Sequence, residues 1–181
     1  MKILSWNVRG LGNTRARLEV KNILQTHKPR ILFFCETKLR AAQAREECRR
    51  LSIENCFAVN KMGLKGGLAL CWNAEVLVTI TSYSNHHIDA VVQLENGKQW
   101  RCTGIYRHPE MQQKHHTWTL LRRLSGLSNL PWLCFGDFNE ILSPNEKCGG
   151  KDRNLSMMAN FKEAAQACNL VDLGCIGYPF T

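Results

Sequence analysis

Short apolar runs that stop on a polar side chain recur along this chain. Leu130-Pro131-Trp132-Leu133-Cys134-Phe135 stops at Gly136-Asp137-Phe138-Asn139, Phe33-Phe34-Cys35 at Glu36-Thr37-Lys38, and Ser5-Trp6 at Asn7-Val8-Arg9-Gly10. Runs of this length read as buried strands. A first strand is predicted near Lys2 to Val8, then a helix that Asn13 can cap, with Ala16, Val20, Ile23 and Leu24 at helical spacing. Pro29 separates it from a second strand, Arg30 to Glu36. Ala41 to Leu51, without Gly or Pro, predicts a second helix. Phe57 to Asn60, Leu68 to Asn73, Val76 to Tyr83, Ile88 to Glu95 and Gln99 to Tyr106 are β-branched or alternating runs that predict an antiparallel meander. Asn96-Gly97 fits a two-residue hairpin turn. Helices over Gln112 to Leu127 and Leu155 to Cys168 bracket the Leu130 to Phe135 strand. The pattern predicts an α/β fold, with mixed sheets and helices packed outside.

Composition narrows the class. The 181 residues suit a single domain over 1–181, and no linker or repeat divides them. With 44% hydrophobic and 22% charged residues, disordered and fibrous classes are excluded. No apolar stretch approaches the roughly 18 residues of a membrane span, so no membrane partner is expected. Met1 to Asn7 reaches a polar residue too early for a signal-peptide core, and an intracellular protein is expected. Nine cysteines, none spaced as C-x-x-C, indicate neither a zinc knuckle nor a thioredoxin-type pair. Cys35, Cys71 and Cys134 sit in apolar runs as small core side chains, which fits a reducing compartment.

The net charge of +9 is uneven. Residues 1–60 hold 12 Lys and Arg against 5 Asp and Glu, a surplus of 7, leaving +2 for the rest. A basic N-terminal surface can draw a polyanion, nucleic acid above all. Alternatively, Arg45, Arg49 and Arg50 merely solvate one helix face.

Alternation along a strand would make Asp137 and Asn139 project the same way. A carboxylate that holds or deprotonates water beside an amide that bonds an oxyanion suits hydrolysis. Glu36, ending an apolar strand, holds a cation or else caps a helix or pairs with Lys38. Hard Mg²⁺ takes oxygen ligands, and Asn7 can add a carbonyl oxygen. Tyr106, closing another strand, can bond a phosphate oxygen or pack an interface. The pairs His86-His87 and His115-His116 are expected to be mostly exposed, since adjacent side chains diverge. Gly63-Leu64-Lys65-Gly66-Gly67 lacks the ending of a P-loop and eases a tight turn.

Taken in order, Trp6-Asn7-Val8-Arg9-Gly10, Glu36-Thr37-Lys38, Gly104-Ile105-Tyr106 and Gly136-Asp137-Phe138-Asn139 resemble the endonuclease/exonuclease/phosphatase superfamily, which includes the exonuclease III-like abasic-site endonucleases. His108-Pro109-Glu110, Leu130 to Leu142, Glu146-Lys147-Cys148-Gly149-Gly150 and Leu170-Val171-Asp172-Leu173-Gly174 look like the endonuclease domain of plant LINE-type retroelements. The resemblance implies a layered sandwich of two mixed β-sheets flanked by helices, acting on DNA with Mg²⁺ or Mn²⁺ in the nucleus and needing no obligate protein partner. It implies that Asn7 and Glu36 bind the metal and Tyr106 contacts the scissile phosphate. Asp137 would orient or deprotonate the attacking water, and Asn139 would steady the transition state.

Two departures from the family pattern shape this expectation. Arg9 stands where the abasic-site enzymes commonly carry an acid, which favours retroelement-type nicking over repair. The family continues past Pro179-Phe180-Thr181 to a Ser-Asp-His segment, and no Asp-His dipeptide occurs among the 181 residues. A domain lacking its final strands and impaired in rate by ~10²–10³ is therefore expected, by analogy with oxyanion-hole deletions. Two other readings stay open: a catalytically dead remnant that binds nucleic acid, and a phosphatase acting on a small phosphate ester.

Overall fold

A computed structural model of the chain describes residues 1–107, 114–150 and 153–174. His108-Pro109-Glu110, the predicted helix start at Gln112 and Pro179-Phe180-Thr181 lie outside the described residues, as do the side chains of His115 and His116. The chain forms two units, one of Met1–Tyr106 with Leu130–Asp137, the other of Arg107–Asn129 with Phe138–Thr181.

The first unit holds every strand among the described residues. β1 (Ile3–Asn7), α1 (Thr14–His27), β2 (Ile31–Cys35), α2 (Ala41–Arg50), β3 (Asn55–Met62) and β4 (Lys65–Trp72) are followed by β5 (Leu77–Ser84), β6 (His87–Gln93) and β7 (Gln99–Tyr106). After α3 (Lys114–Ser125), which belongs to the second unit, β8 (Trp132–Asp137) returns to the first. The sheets run β1-β2-β4-β3 and β5-β6-β7-β8. Each is mixed: β1 is parallel to β2 and β7 to β8, and the remaining pairs are antiparallel.

Strand β2 shows why an unbroken apolar run was needed. All five of its residues are buried, because both faces of the strand are covered. Ile31, Phe33 and Cys35 face the second sheet in a core shared with Leu68, Leu70, Ile88, Ala90 and Val92. Leu32 and Phe34 face outward, in a core with Val20 of α1 and Ala44 and Cys48 of α2. Asn13 caps α1 as predicted, its side-chain oxygen accepting from the Ala16 N–H at 2.7 Å. Each fully buried Phe or Leu contributes about 1.5–3 kcal/mol, whereas an exposed ion pair contributes about 0–1. The two apolar layers therefore hold this unit together more than its charged surface does.

Three expectations change. The five predicted meander strands divide between the sheets, β3 and β4 joining the first and β5 to β7 the second. The crossing falls at Asn73 to Val76, where Val76 N–H bonds the Asn73 carbonyl at 3.2 Å. Asn96-Gly97 is not a two-residue turn. Leu94 N–H bonds the Lys98 carbonyl and Gly97 N–H the Leu94 carbonyl, each at 2.9 Å, and of Asn96 and Gly97 only Gly97 has positive φ, at 77°. That is a longer hairpin loop closed by a left-handed glycine. His87 is buried rather than exposed, since its ring nitrogens meet the hydroxyls of Ser82 and Ser84 at 3.1 and 2.8 Å. The two-residue turn lies instead at Gly63-Leu64, between paired Met62 and Lys65.

In the second unit α3 meets α4 (Leu155–Ala167). Trp118 stacks on Phe161 with ring centroids 4.6 Å apart, and Phe138 lies 5.4 Å from the same ring. The Arg107 guanidinium covers Trp118 and pairs with buried Glu140 at 3.3 Å.

Candidate functional site

In each sheet the parallel pair brings two strand ends side by side. Asn7 ends β1, and its register partner Cys35 precedes Glu36. Tyr106 ends β7, opposite Asp137 at the end of β8. Parallel strands align their carboxyl ends, and polar residues placed there converge. The convergence is direct: Asn7 Nδ2 donates to Glu36 Oε1 at 3.1 Å and to Asp137 Oδ2 at 2.9 Å, tying the two sheets together. The Tyr106 hydroxyl donates to the same Glu36 Oε1 at 2.9 Å. Four of the five predicted site residues thus meet in the first unit.

The local backbone holds them under strain. Glu36 has φ 53°, Lys38 55° and Arg9 47°, a left-handed region that non-glycine residues seldom occupy. Such outliers persist only where surroundings fix them. Here Gly10 N–H bonds the Glu36 carbonyl at 2.8 Å, Leu11 N–H the Thr37 carbonyl at 3.1 Å, and Thr37 N–H the Gly67 carbonyl at 3.1 Å. A side chain at Gly67 would collide with the buried Thr37 hydroxyl, and one at Gly136 with the Ile105 carbonyl. Both positions need glycine so that neighbouring strands can approach next to the acids.

Burial, then the hydrogen bond to Glu36, pushes the Tyr106 phenol above its ordinary value of 10.0, so it remains a donor at neutral pH. The Cys35 thiol is likewise pushed up, first by burial and then by the charges of Asp137 and Glu36. No ion pair joins Glu36 to Lys38 among the described residues, and the cap position of α2 belongs to Arg40. The paired and capping readings of Glu36 lose their partners. Two carboxylates sharing one amide nitrogen repel each other, and a divalent cation between oxygen donors relieves that repulsion. The donor set, all oxygen once the Asn7 amide is reversed, fits a hard cation. As placed, Asn7 turns its NH₂ toward the acids, and its Oδ1 accepts from the Arg9 N–H at 3.3 Å.

Strand β8 stops at Asp137 and Asn139 has φ 49°, so strand alternation does not reach it. It belongs to the second unit, where its amide donates to the Arg107 carbonyl. On the basic N-terminal face, Arg49 pairs with Glu46 at 2.8 Å and Arg50 with Glu47 at 3.0 Å, so α2 balances part of its own charge.

Sequence reasoning passed over one buried network. Arg101 Nε donates to Asp89 at 2.9 and 3.1 Å, and Thr81 and Thr103 donate to the same carboxylate. A single acid and a single base in adjoining apolar strands was the signal that could have found it.

Known proteins bear out the fold. No curated protein gives a significant match by sequence. The 3′ phosphatase NExo from Neisseria, solved with a product DNA hairpin, superposes with TM-score 0.64 at 17% identity, over 92% of this chain and 71% of that one. The AP endonuclease LMAP from Leishmania major gives 0.65 at 14%, over 93% and 66%. A humanized TDP2 from D. rerio gives 0.58 at 19%, over 88% and 69%. The sequence profile of the Endonuclease/Exonuclease/phosphatase family matches residues 4–180. Members of that family are hydrolytic enzymes acting on phosphodiester or phosphate bonds, and its nucleases generally use divalent metal ions. With its two mixed sheets, its converging strand ends and a match over nearly its whole length, this chain belongs to the Endonuclease/Exonuclease/phosphatase family.

Proposed function

We propose that the chain is a divalent-cation-dependent hydrolase of DNA phosphodiesters, a nicking endonuclease of the LINE retroelement type that its motifs resemble. The observation that carries this reading is the single Asn7 amide nitrogen shared by Glu36 and Asp137. Glu36 would hold Mg²⁺ or Mn²⁺, with the Asn7 carbonyl oxygen as a second ligand once the amide reverses. A cation bound there would stabilise charge on the phosphate and on the leaving 3′-oxygen. Asp137 orients and deprotonates the attacking water, released from the Asn7 amide as that amide reverses. Tyr106, protonated at neutral pH, has one O–H, which donates to Glu36 in the free chain and would turn to the phosphate once a cation takes the Glu36 carboxylate. For Asn139 the motif alone supports a part, to be read from the kcat of Asn139→Ala. A net charge of +9 and the DNA product bound by the Neisseria neighbour support a nucleic-acid substrate.

The test is conversion of supercoiled plasmid to nicked circles with Mg²⁺. Nicking abolished by EDTA and by Glu36→Gln is expected. A folded chain that leaves plasmid intact, or cuts equally well with EDTA, contradicts the proposal. Hydrolysis of a small phosphate ester without nicking selects the phosphatase reading.

A further inference from the structure

Far from the strand-end acids in character, three sulfur atoms meet where α2 packs on the first sheet. Cys48 comes from α2, Cys56 from β3 and Cys71 from β4, and all three Sγ atoms lie within 4.8 Å of one another. Cys48 and Cys71 are fully buried, their sulfurs 3.5 Å apart, and Cys56 is half-buried. The β3–β4 register sets Cys56 directly opposite Cys71. No sequence spacing announces this cluster, because its members come from three elements.

We infer that Cys48, Cys56 and Cys71 form a binding site for one soft, thiophilic d¹⁰ cation of the Zn²⁺ type. Tetrahedral Zn²⁺ with bonds of about 2.3 Å separates neighbouring thiolates by roughly 3.7 Å, so the cluster closes on an ion with little movement. The mixed nitrogen and oxygen donors of a catalytic zinc centre are absent among the cluster's members; a soft-metal site is what three thiolates select. The half-buried Cys56 gives the ion its entrance and leaves the remaining coordination position to water. Each thiol surrenders its proton to solvent on binding, so affinity rises with pH. The alternative is three apolar-like thiols packed by size alone.

The test uses the full chain, reduced with a phosphine under anaerobic conditions and titrated with Cd²⁺. A sulfur-to-metal charge-transfer band saturating at one ion per chain, with the intensity of three thiolates, and reversed by Zn²⁺ is expected. Cys56→Ser should weaken binding by about 10²-fold, as one ligand's share of a structural zinc site suggests, while exposed Cys148→Ser changes nothing. In the unaltered chain, Zn²⁺ should protect Cys56 from iodoacetamide and leave Cys148 reactive. No band, a band of one or two thiolates, unchanged binding in Cys56→Ser, or labelling of Cys56 indifferent to Zn²⁺ would overturn the inference.

Discussion

Two carboxylates in the same unit have opposite surroundings. Asp89 is 2% exposed and closed by a guanidinium and two threonine hydroxyls, with Arg101 itself 2% exposed and its guanidinium 4.9 Å from the Trp132 ring centroid. Glu36 sits on a strained backbone at a strand end, and both of its side-chain donors, Asn7 and Tyr106, are neutral and address one oxygen. A buried acid that already has its cation is a structural part. An acid held in place by neutral donors, beside a second acid, is ready to accept a cation from outside. The difference separates stability from function within one fold, and each residue can be made to show it.

The largest effect is expected at Asp89. Asp89→Ala leaves Arg101 charged and buried, which should cost about 3–5 kcal/mol in urea unfolding. A loss under 1 kcal/mol would mean the pair is not the structural anchor described here. Next comes Asp137→Asn, which should lower the rate of plasmid nicking ~10²–10³-fold while the unfolding midpoint stays within the range of ordinary surface changes. Equal losses of rate and stability would erase the contrast. Gly136→Ala sets a side chain against the Ile105 carbonyl and should destabilise by about 1–3 kcal/mol, measured by thermal melting. The smallest effect is a pH dependence. Because folding raises the Tyr106 pKa above 10.0, the stability tied to its protonated form is present below pH 10 and is lost as pH rises through the folded value. Tyr106→Phe should therefore lose less stability than the unaltered chain between neutral and strongly alkaline pH, and identical alkaline curves would count against the Tyr106–Glu36 bond.

The sequence made some of this visible and hid the rest for physical reasons. Strand β2 was legible because a strand covered on both faces must be apolar throughout, and α1 because Asn13 sits where a cap is needed. Asn7, Glu36, Tyr106 and Asp137 were legible as polar ends of apolar runs. What alternation could not carry was Asn139, where a left-handed residue ends the strand geometry. Nor could local pattern say which sheet each meander strand joins, since that is set by the crossing at Asn73 to Val76 and not by the residues of any one strand. His87 was misplaced because two serines, three and five residues before it, satisfy both ring nitrogens and let it be buried. The thiol cluster was hidden because its distances belong to tertiary packing and not to spacing along the chain.

Cation binding at the strand ends tests the account most directly. Titration of the chain with Mn²⁺, followed by the electron paramagnetic resonance of the free ion, should show a site that Mg²⁺ displaces and that Glu36→Gln abolishes, with Asp89 and Arg101 left intact. Equal Mn²⁺ binding by the Glu36→Gln variant, or none by the unaltered chain, would contradict the claim that these strand ends gather around a divalent ion.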